Sequence, residues 1–179
     1  MNLLELNIDY SPIINKEVVD NTFEFLHNQI KVKSPDKIAK VACAIIDGDE
    51  LVSYGYNHVP EEFKNIETVW DKHDLDIGNG FFLNKRDIVI HAERDAMSKI
   101  APLTSLKRKH STLCLLTAFP CSQCLVALLS FGIRTIIYER DTSINNVETK
   151  EAKSFFMAKN YNSADYPVVI INRSSLPYL

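Results

Sequence analysis

Four residues in two short segments have the types and spacing of a hydrolytic metal centre. His91-Ala92-Glu93 opens one helix-like run, and Pro120-Cys121-Ser122-Gln123-Cys124 opens another. An imidazole and two thiolates form a zinc ligand set that leaves a fourth position to water, which is the pattern of a catalytic site. Glu93, two residues beyond His91, is placed to face that water without binding the metal and to move its protons. Cys121 and Cys124 are i and i+3, so on a first helical turn their side chains are neighbours. Unpaired amides and the dipole at a helix N-terminus favour both sulfurs as thiolates. Pro120, just ahead of that helix, gives up no amide that the helix needs.

The rest of the chain must bring these segments together. Val19, Phe23, Leu26 and Ile30 recur at helical spacing and predict an amphipathic helix from Glu17 to Lys31, broken by Ser34-Pro35-Asp36. Ile38 to Asp47 and Glu50 to Tyr56 flank Gly48-Asp49 and read as a hairpin. Residues 59–90 are a polar connection carrying Asp71, His73, Asp74 and Asp76, with room for one short helix. His91 to Ala101 predicts a helix stopped by Pro102, and Thr112 to Ala118 a buried strand. Cys121 to Phe131 predicts an apolar helix closed by Gly132. A strand from Ile133 to Tyr138, a helix from Glu148 to Asn160 and a strand from Val168 to Ile171 follow, before a tail over 172–179. Strands joined through helices favour parallel pairing, whereas the first hairpin is antiparallel. The predicted fold class is α/β, a mixed sheet between helical layers.

Composition narrows the function. With 46% hydrophobic residues in 179, the chain reads as a single domain, 1–179, with a substantial core. A net charge of −3 offers no basic footprint for nucleic acid or a membrane surface. The N-terminus lacks the basic and apolar regions of a signal peptide, and no apolar run is long enough to span a bilayer. Cys43 and Cys114 lie in apolar strand-like runs and read as core residues, so the expected setting is reducing and cytoplasmic.

A Cys-x-x-Cys alone also fits a redox pair, or a structural zinc corner with His73 or His110 as fourth ligand. The Glu beside the His and the Pro before the Cys favour catalysis, and the combination marks zinc-dependent nucleobase deaminases. Further segments agree: Gly55-Tyr56-Asn57, Phe119-Pro120-Cys121-Ser122-Gln123-Cys124, Leu128-Leu129 and Gly132-Ile133. From Ile38 to Tyr138 the chain resembles the deoxycytidylate (dCMP) deaminase family of the cytidine deaminase-like superfamily. The resemblance implies a three-layer α-β-α fold whose five-stranded mixed sheet has its last two strands parallel. It implies hydrolysis of dCMP to dUMP and ammonia, with one Zn2+ held by His91, Cys121 and Cys124 and with Glu93 as proton shuttle. Asn57 would hydrogen-bond the substrate, and Ala92 and Pro120 would line its pocket. A small-molecule nucleotide substrate and a homo-oligomer are also implied. A strand-end turn residue is the plainer reading of Asn57.

Asp95 stands where the family has Asn, and an acid there changes the hydrogen-bonding pattern around the site or caps the helix start. His58 stands where the family has Gly after G-Y-N, in the loop of the family's allosteric nucleotide site, so inherited regulation is not expected. The connection has no cysteine, so no second zinc is expected. Arg94, Lys85 and Arg86 are candidates for a phosphate, each against the plainer reading of a solvated charge. The basic loop Lys107 to His110 reads as solvent-facing. Rival readings are a base-editing enzyme like the tRNA adenosine deaminases, a deaminase of another free cytosine nucleoside or nucleotide, and a non-catalytic zinc domain that binds nucleotides. Gln123, where the editing enzymes carry Met, weighs against the first. Glu93 weighs against the last.

Overall fold

A computed structural model describes residues 14–37, 39–65, 70, 75–78, 81–83, 88–100, 112–141 and 168–176. The first helix, α1 (Lys16–Phe25), starts where the Asn15 side chain accepts hydrogen bonds from the amides of Glu17 and Val18. The predicted helix runs on to Lys31, but the chain widens into a π-helical turn over Leu26–Ile30 and tightens into a 3-10 turn over Lys31–Lys33. The wider turn keeps both Leu26 and Ile30 in the core.

The hairpin forms as predicted, β1 (Ala42–Asp47) against β2 (Glu50–Tyr56), with Gly48 at φ 64° in the turn. Its first strand begins four residues later than the apolar run suggests. The amide of Ala39 is taken by Asp36 Oδ1 at 3.0 Å and that of Val41 by Asn57 Oδ1 at 2.8 Å, so side chains occupy donors that a ladder would use. In the connection, a 3-10 turn (Glu61–Phe63) accounts for the short helix. A small antiparallel pair, β3 (Leu75–Gly78) and β4 (Phe81–Leu83), stands where the sequence reading had only loop. Then come α2 (Ala92–Ser98), β5 (Thr112–Leu116), α3 (Ser122–Phe131), β6 (Thr135–Tyr138) and β7 (Val169–Asn172). The predicted helix Glu148–Asn160 lies outside the described residues. The proposed tail from 172 is shorter, since Asn172 closes β7 and Arg173–Ser175 form a 3-10 turn tied through Arg173 to Asp20 and Glu139.

The main sheet has the order β2-β1-β5-β6-β7, antiparallel from β2 to β5 and parallel from β5 to β7. Side chains alternate cleanly between its faces. Cys43, Ile45, Cys114, Leu116, Ile136 and Tyr138 pack under α2 and α3 with Ala92, Ala96, Leu125 and Leu128. Ala42, Ala44, Ile46, Leu113, Leu115 and Ile137 pack on Val19, Phe23, Leu26 and Ile30. The result is the three-layer α-β-α arrangement with a five-stranded mixed sheet. The α3 helix ends at Gly132 with φ 99°, whose amide and that of Ile133 close on the carbonyls of Leu129 and Leu128.

The approach of α2 to β2 brings backbone against backbone. A Cβ placed on Gly55 would lie 2.3 Å from the Ala92 carbonyl oxygen and 2.4 Å from the Ala96 amide nitrogen. Both atoms are helix backbone, which cannot swing aside as a flexible side chain can. Gly55→Ala should therefore destabilise the fold by about 2–3 kcal/mol through forced separation of helix and strand. Chemical denaturation checks this, and a midpoint equal to wild type would show that the helix can shift freely.

Candidate metal centre and active site

His91 is the N-cap residue of α2, with extended backbone (φ −72°, ψ 152°), and makes no capping hydrogen bond with its side chain. The ring is thus left to other work. Its position is fixed from behind, because Ile90 pairs with His58 through both backbone hydrogen bonds, at 2.8 and 3.1 Å. Cys121 is the N-cap residue of α3, reached from β5 by a short turn, and its sulfur accepts the Cys124 amide at 3.5 Å. The intervening Pro120 is buried. The neighbouring Phe119 amide donates to the Arg140 carbonyl at 2.9 Å, and the Phe119 ring meets Tyr138 edge-on at 5.0 Å.

The two helix starts face each other. His91 Nδ1 lies 3.6 Å from Cys121 Sγ and 3.4 Å from Cys124 Sγ, and all three ligand atoms fall within 4.8 Å of one another. Tetrahedral zinc with ordinary Zn–N and Zn–S bonds requires N···S separations of about 3.5 Å. The residues present therefore fit zinc. A fourth protein ligand is absent from this cluster among the described residues, and His73 and His110 lie outside them.

The site's electrostatics suit a cation. The hydrogen bond from Cys124 pulls the Cys121 thiol down to about 4, assisted by bonds from His91 and the Cys124 amide. The same shared proton pushes Cys124 up, with burial adding to it. The hydrogen bond to Cys121 raises His91. Glu93 is only 3% exposed, and burial pushes its carboxyl up, while its own amide, His91 and Cys124 pull the other way. A carboxyl in this setting binds a proton more readily than one in water.

The other sequence candidates are distributed as follows. Ala92 opens α2 and is fully buried on its sheet-facing side, its carbonyl over Gly55. Arg94 is exposed at the rim, with Nη2 3.4 Å from Gln123 Oε1 of α3. Asn57 is buried and engaged on every side by protein. Its Oδ1 accepts Ser34 Oγ and the Val41 amide, both at 2.8 Å, and its Nδ2 donates to Asp36 Oδ2 at 3.2 Å and the Ala39 carbonyl at 2.9 Å. Ser34 and Asp36, read from sequence only as a chain break, are the partners that sequence reasoning missed. The Ser-x-Asp spacing, with two short polar side chains able to bond nearby amides, was the available signal. Asp95 and His58, the two departures from the family pattern, meet each other, Nε2 to Oδ1 at 3.5 Å. Lys85, Arg86 and the 107–110 loop lie outside the described residues. Cys43 and Cys114 are buried free thiols 3.6 Å apart, core residues as predicted.

Three comparisons bear on this geometry. The family model for the cytidine and deoxycytidylate deaminase zinc-binding region matches residues 20–140. A protein of Drosophila melanogaster described as a probable deoxycytidylate deaminase is 28% identical over 114 residues, 61% of this chain and 53% of that protein. The chain thus spans about half the length of that relative. In fold, it is similar to the dCMP deaminase of cyanophage S-TIM5 crystallised with dCMP and dUMP, at 15% identity and a TM-score of 0.55, over 89% of this chain and 98% of that one. Among the described residues no helix is long and apolar enough to cross a membrane.

Because the ligands tie two helices together, removing one should cost both metal and fold. Cys121→Ala and Cys124→Ala should each lose stoichiometric zinc and melt several degrees below the zinc-loaded parent. Metal analysis with thermal unfolding checks this, and full zinc occupancy in either variant would refute the ligand set.

Proposed function

The chain belongs to the cytidine and deoxycytidylate deaminase zinc-binding family, and we propose that it hydrolyses a cytosine nucleotide, dCMP, to dUMP and ammonia. One observation carries this reading. A carboxyl that is 3% exposed stands two residues from His91, within electrostatic reach of His91, Cys121 and Cys124. A structural zinc site has no use for such a group, since a buried acid costs stability unless it does something.

Zinc bound by His91, Cys121 and Cys124 supplies Lewis-acid activation, bringing water's pKa to about 7. The chain's own residues do the rest. Glu93 takes a proton from the attacking water and passes it to the ring nitrogen next to C4. The water oxygen bonds to C4, and the C4–N bond to the exocyclic amine then breaks. Glu93 delivers the second proton to the departing amine, so that water and dCMP balance dUMP and ammonia. The raised proton affinity of buried Glu93 suits a group that must both accept and release a proton in each cycle. Ala92, through its backbone, and buried Pro120 are assigned to the lining of the base pocket beside the ligands. Arg94, exposed at the rim beside Gln123, is the described cation closest in sequence to Glu93 and is assigned to the 5′-phosphate.

The choice of dCMP is supported by the description of the Drosophila relative and by the resemblance of the motifs around Gly55 and Cys121. The net charge of −3 supports a small nucleotide over a polynucleotide.

Ammonia release from zinc-loaded protein should be seen with dCMP, and more weakly or not at all with deoxycytidine, CMP, dCTP and a single-stranded oligonucleotide. Turnover of the oligonucleotide alone would replace this reading with base editing. Glu93→Ala should keep zinc and lower kcat by about 10²–10⁴-fold. Undiminished turnover in that variant would remove Glu93 from the mechanism.

A further inference from the structure

Asp95 is a buried acid that the deamination chemistry above does not use. It lies one turn beyond His91 on α2, 7% exposed, and its amide continues the helix by donating to the His91 carbonyl at 3.0 Å. Its carboxylate leaves the helix to meet two donors and an imidazole ring. Oδ2 accepts the backbone amide of Tyr56 at 3.1 Å and Lys99 Nζ at 2.8 Å, and Oδ1 faces His58 Nε2 at 3.5 Å.

Two of these partners, Tyr56 and His58, belong to one stretch of chain. Tyr56 ends β2, the strand at the edge of the main sheet, and His58 makes the backbone bridge to Ile90 that places His91. Lys99 also donates to the Tyr54 carbonyl at 3.0 Å and lies over the Tyr54 and Tyr56 rings. One residue earlier on the same strand, Ser53 donates to the Ala96 carbonyl at 2.7 Å, and Gly55 admits the helix backbone. The start of α2 is therefore held at Ser53, Gly55 and Tyr56. Of these, the Tyr56 contact alone joins the strand to a side chain between Glu93 and the end of the helix. An edge-strand amide left without a partner would be free to draw in water, and the helix start would loosen from it.

We infer that Asp95 is a positioning residue: by holding the Tyr56 amide it sets α2 at the distance and rotation at which His91 and Glu93 meet the two cysteines. This inference rests on the deaminase reading for its effect on turnover and on geometry alone for its effect on the helix. The reacting groups tolerate little displacement, since about 1 Å of misplacement costs on the order of 10²-fold in rate.

The test uses the full-length, zinc-loaded protein. Asp95→Ala should lower kcat on dCMP by about 30–100-fold with KM within threefold of wild type. Exchange of the Tyr56 amide should quicken at least ~10-fold, and zinc should be lost faster to a chelator. Asp95→Asn keeps an oxygen acceptor, so it should retain Tyr56 protection and a kcat within about threefold of wild type. If Asp95→Ala does not fold, Asp95→Glu replaces it, because the added methylene drives the carboxylate past Tyr56 and should bring the same loss. Wild-type exchange and turnover in either disruptive variant would overturn the proposal, as would an equal loss in Asp95→Asn with Tyr56 still protected. A parent protein inactive on dCMP would count against the deaminase reading only, and Asp95 would then be judged on amide exchange and zinc loss.

Discussion

The backbone-to-backbone contact between α2 and β2 at Gly55 is the constraint from which the site follows. With the Ala92 carbonyl and Ala96 amide where a Cβ would stand, the helix has no freedom to move inward or to rotate. Its first turn is consequently fixed relative to the sheet, and with it the direction in which His91 leaves the chain. Small residues on both sides are needed for this: alanines on the helix face, glycine on the strand. Any larger residue would push the helix outward and carry His91 away from sulfurs that now lie 3.4 and 3.6 Å from its nitrogen.

The second helix solves the complementary problem. Cys121 caps α3 and Cys124 sits one turn in, so a single helix start delivers both sulfurs while its amides stabilise the negative charge. The rigid sheet between these helices is what lets two ligand sets, far apart in sequence, meet in register. β5 and β1 pair over five residues, and β1 in turn pairs with β2, so the start of α3 and the start of α2 are referred to the same three strands. A metal held by His91, Cys121 and Cys124 would add a cross-link to contacts that already exist.

Much of this was legible in the sequence because it depends on local rules. A capping position, an i, i+3 pair of cysteines, a glycine at a helix end and a glycine-containing hairpin turn each have signatures within a few residues. Order of elements and parallel pairing followed from the alternation of strand and helix patterns. The unread parts depend on partners distant in the chain. Asn57 is recognisable as polar and strand-terminal, but its capture by Ser34, Asp36 and Ala39 depends on how the segment before β1 folds back. The β3–β4 pair is made of runs of four and three residues, too short for periodicity to separate from loop. The π turn at Leu26–Ile30 buries the same residues as an α-helix would, so hydrophobic spacing does not distinguish the two.

The placement of Glu93 explains why the site is built on the face of the sheet covered by α2 and α3. In the proposed role of proton shuttle, Glu93 must be shielded from bulk water to hold a raised proton affinity, yet remain beside polar ligands to do chemistry. The cluster formed by Cys43, Ile45, Ala92, Ala96 and Cys114 supplies the shielding from below, with thiols rather than charged groups at the sheet surface. Cys43 lies close enough to feel both Glu93 and Cys124, and burial raises its own proton affinity, so it stays a neutral thiol in that floor. The carboxyl of Glu93 therefore sits at the boundary between an apolar layer and the ligand cluster. Moving it one residue along α2 would turn it about 100° around the helix, away from both. The H-x-E spacing is thus a consequence of where the sheet ends and the metal site begins.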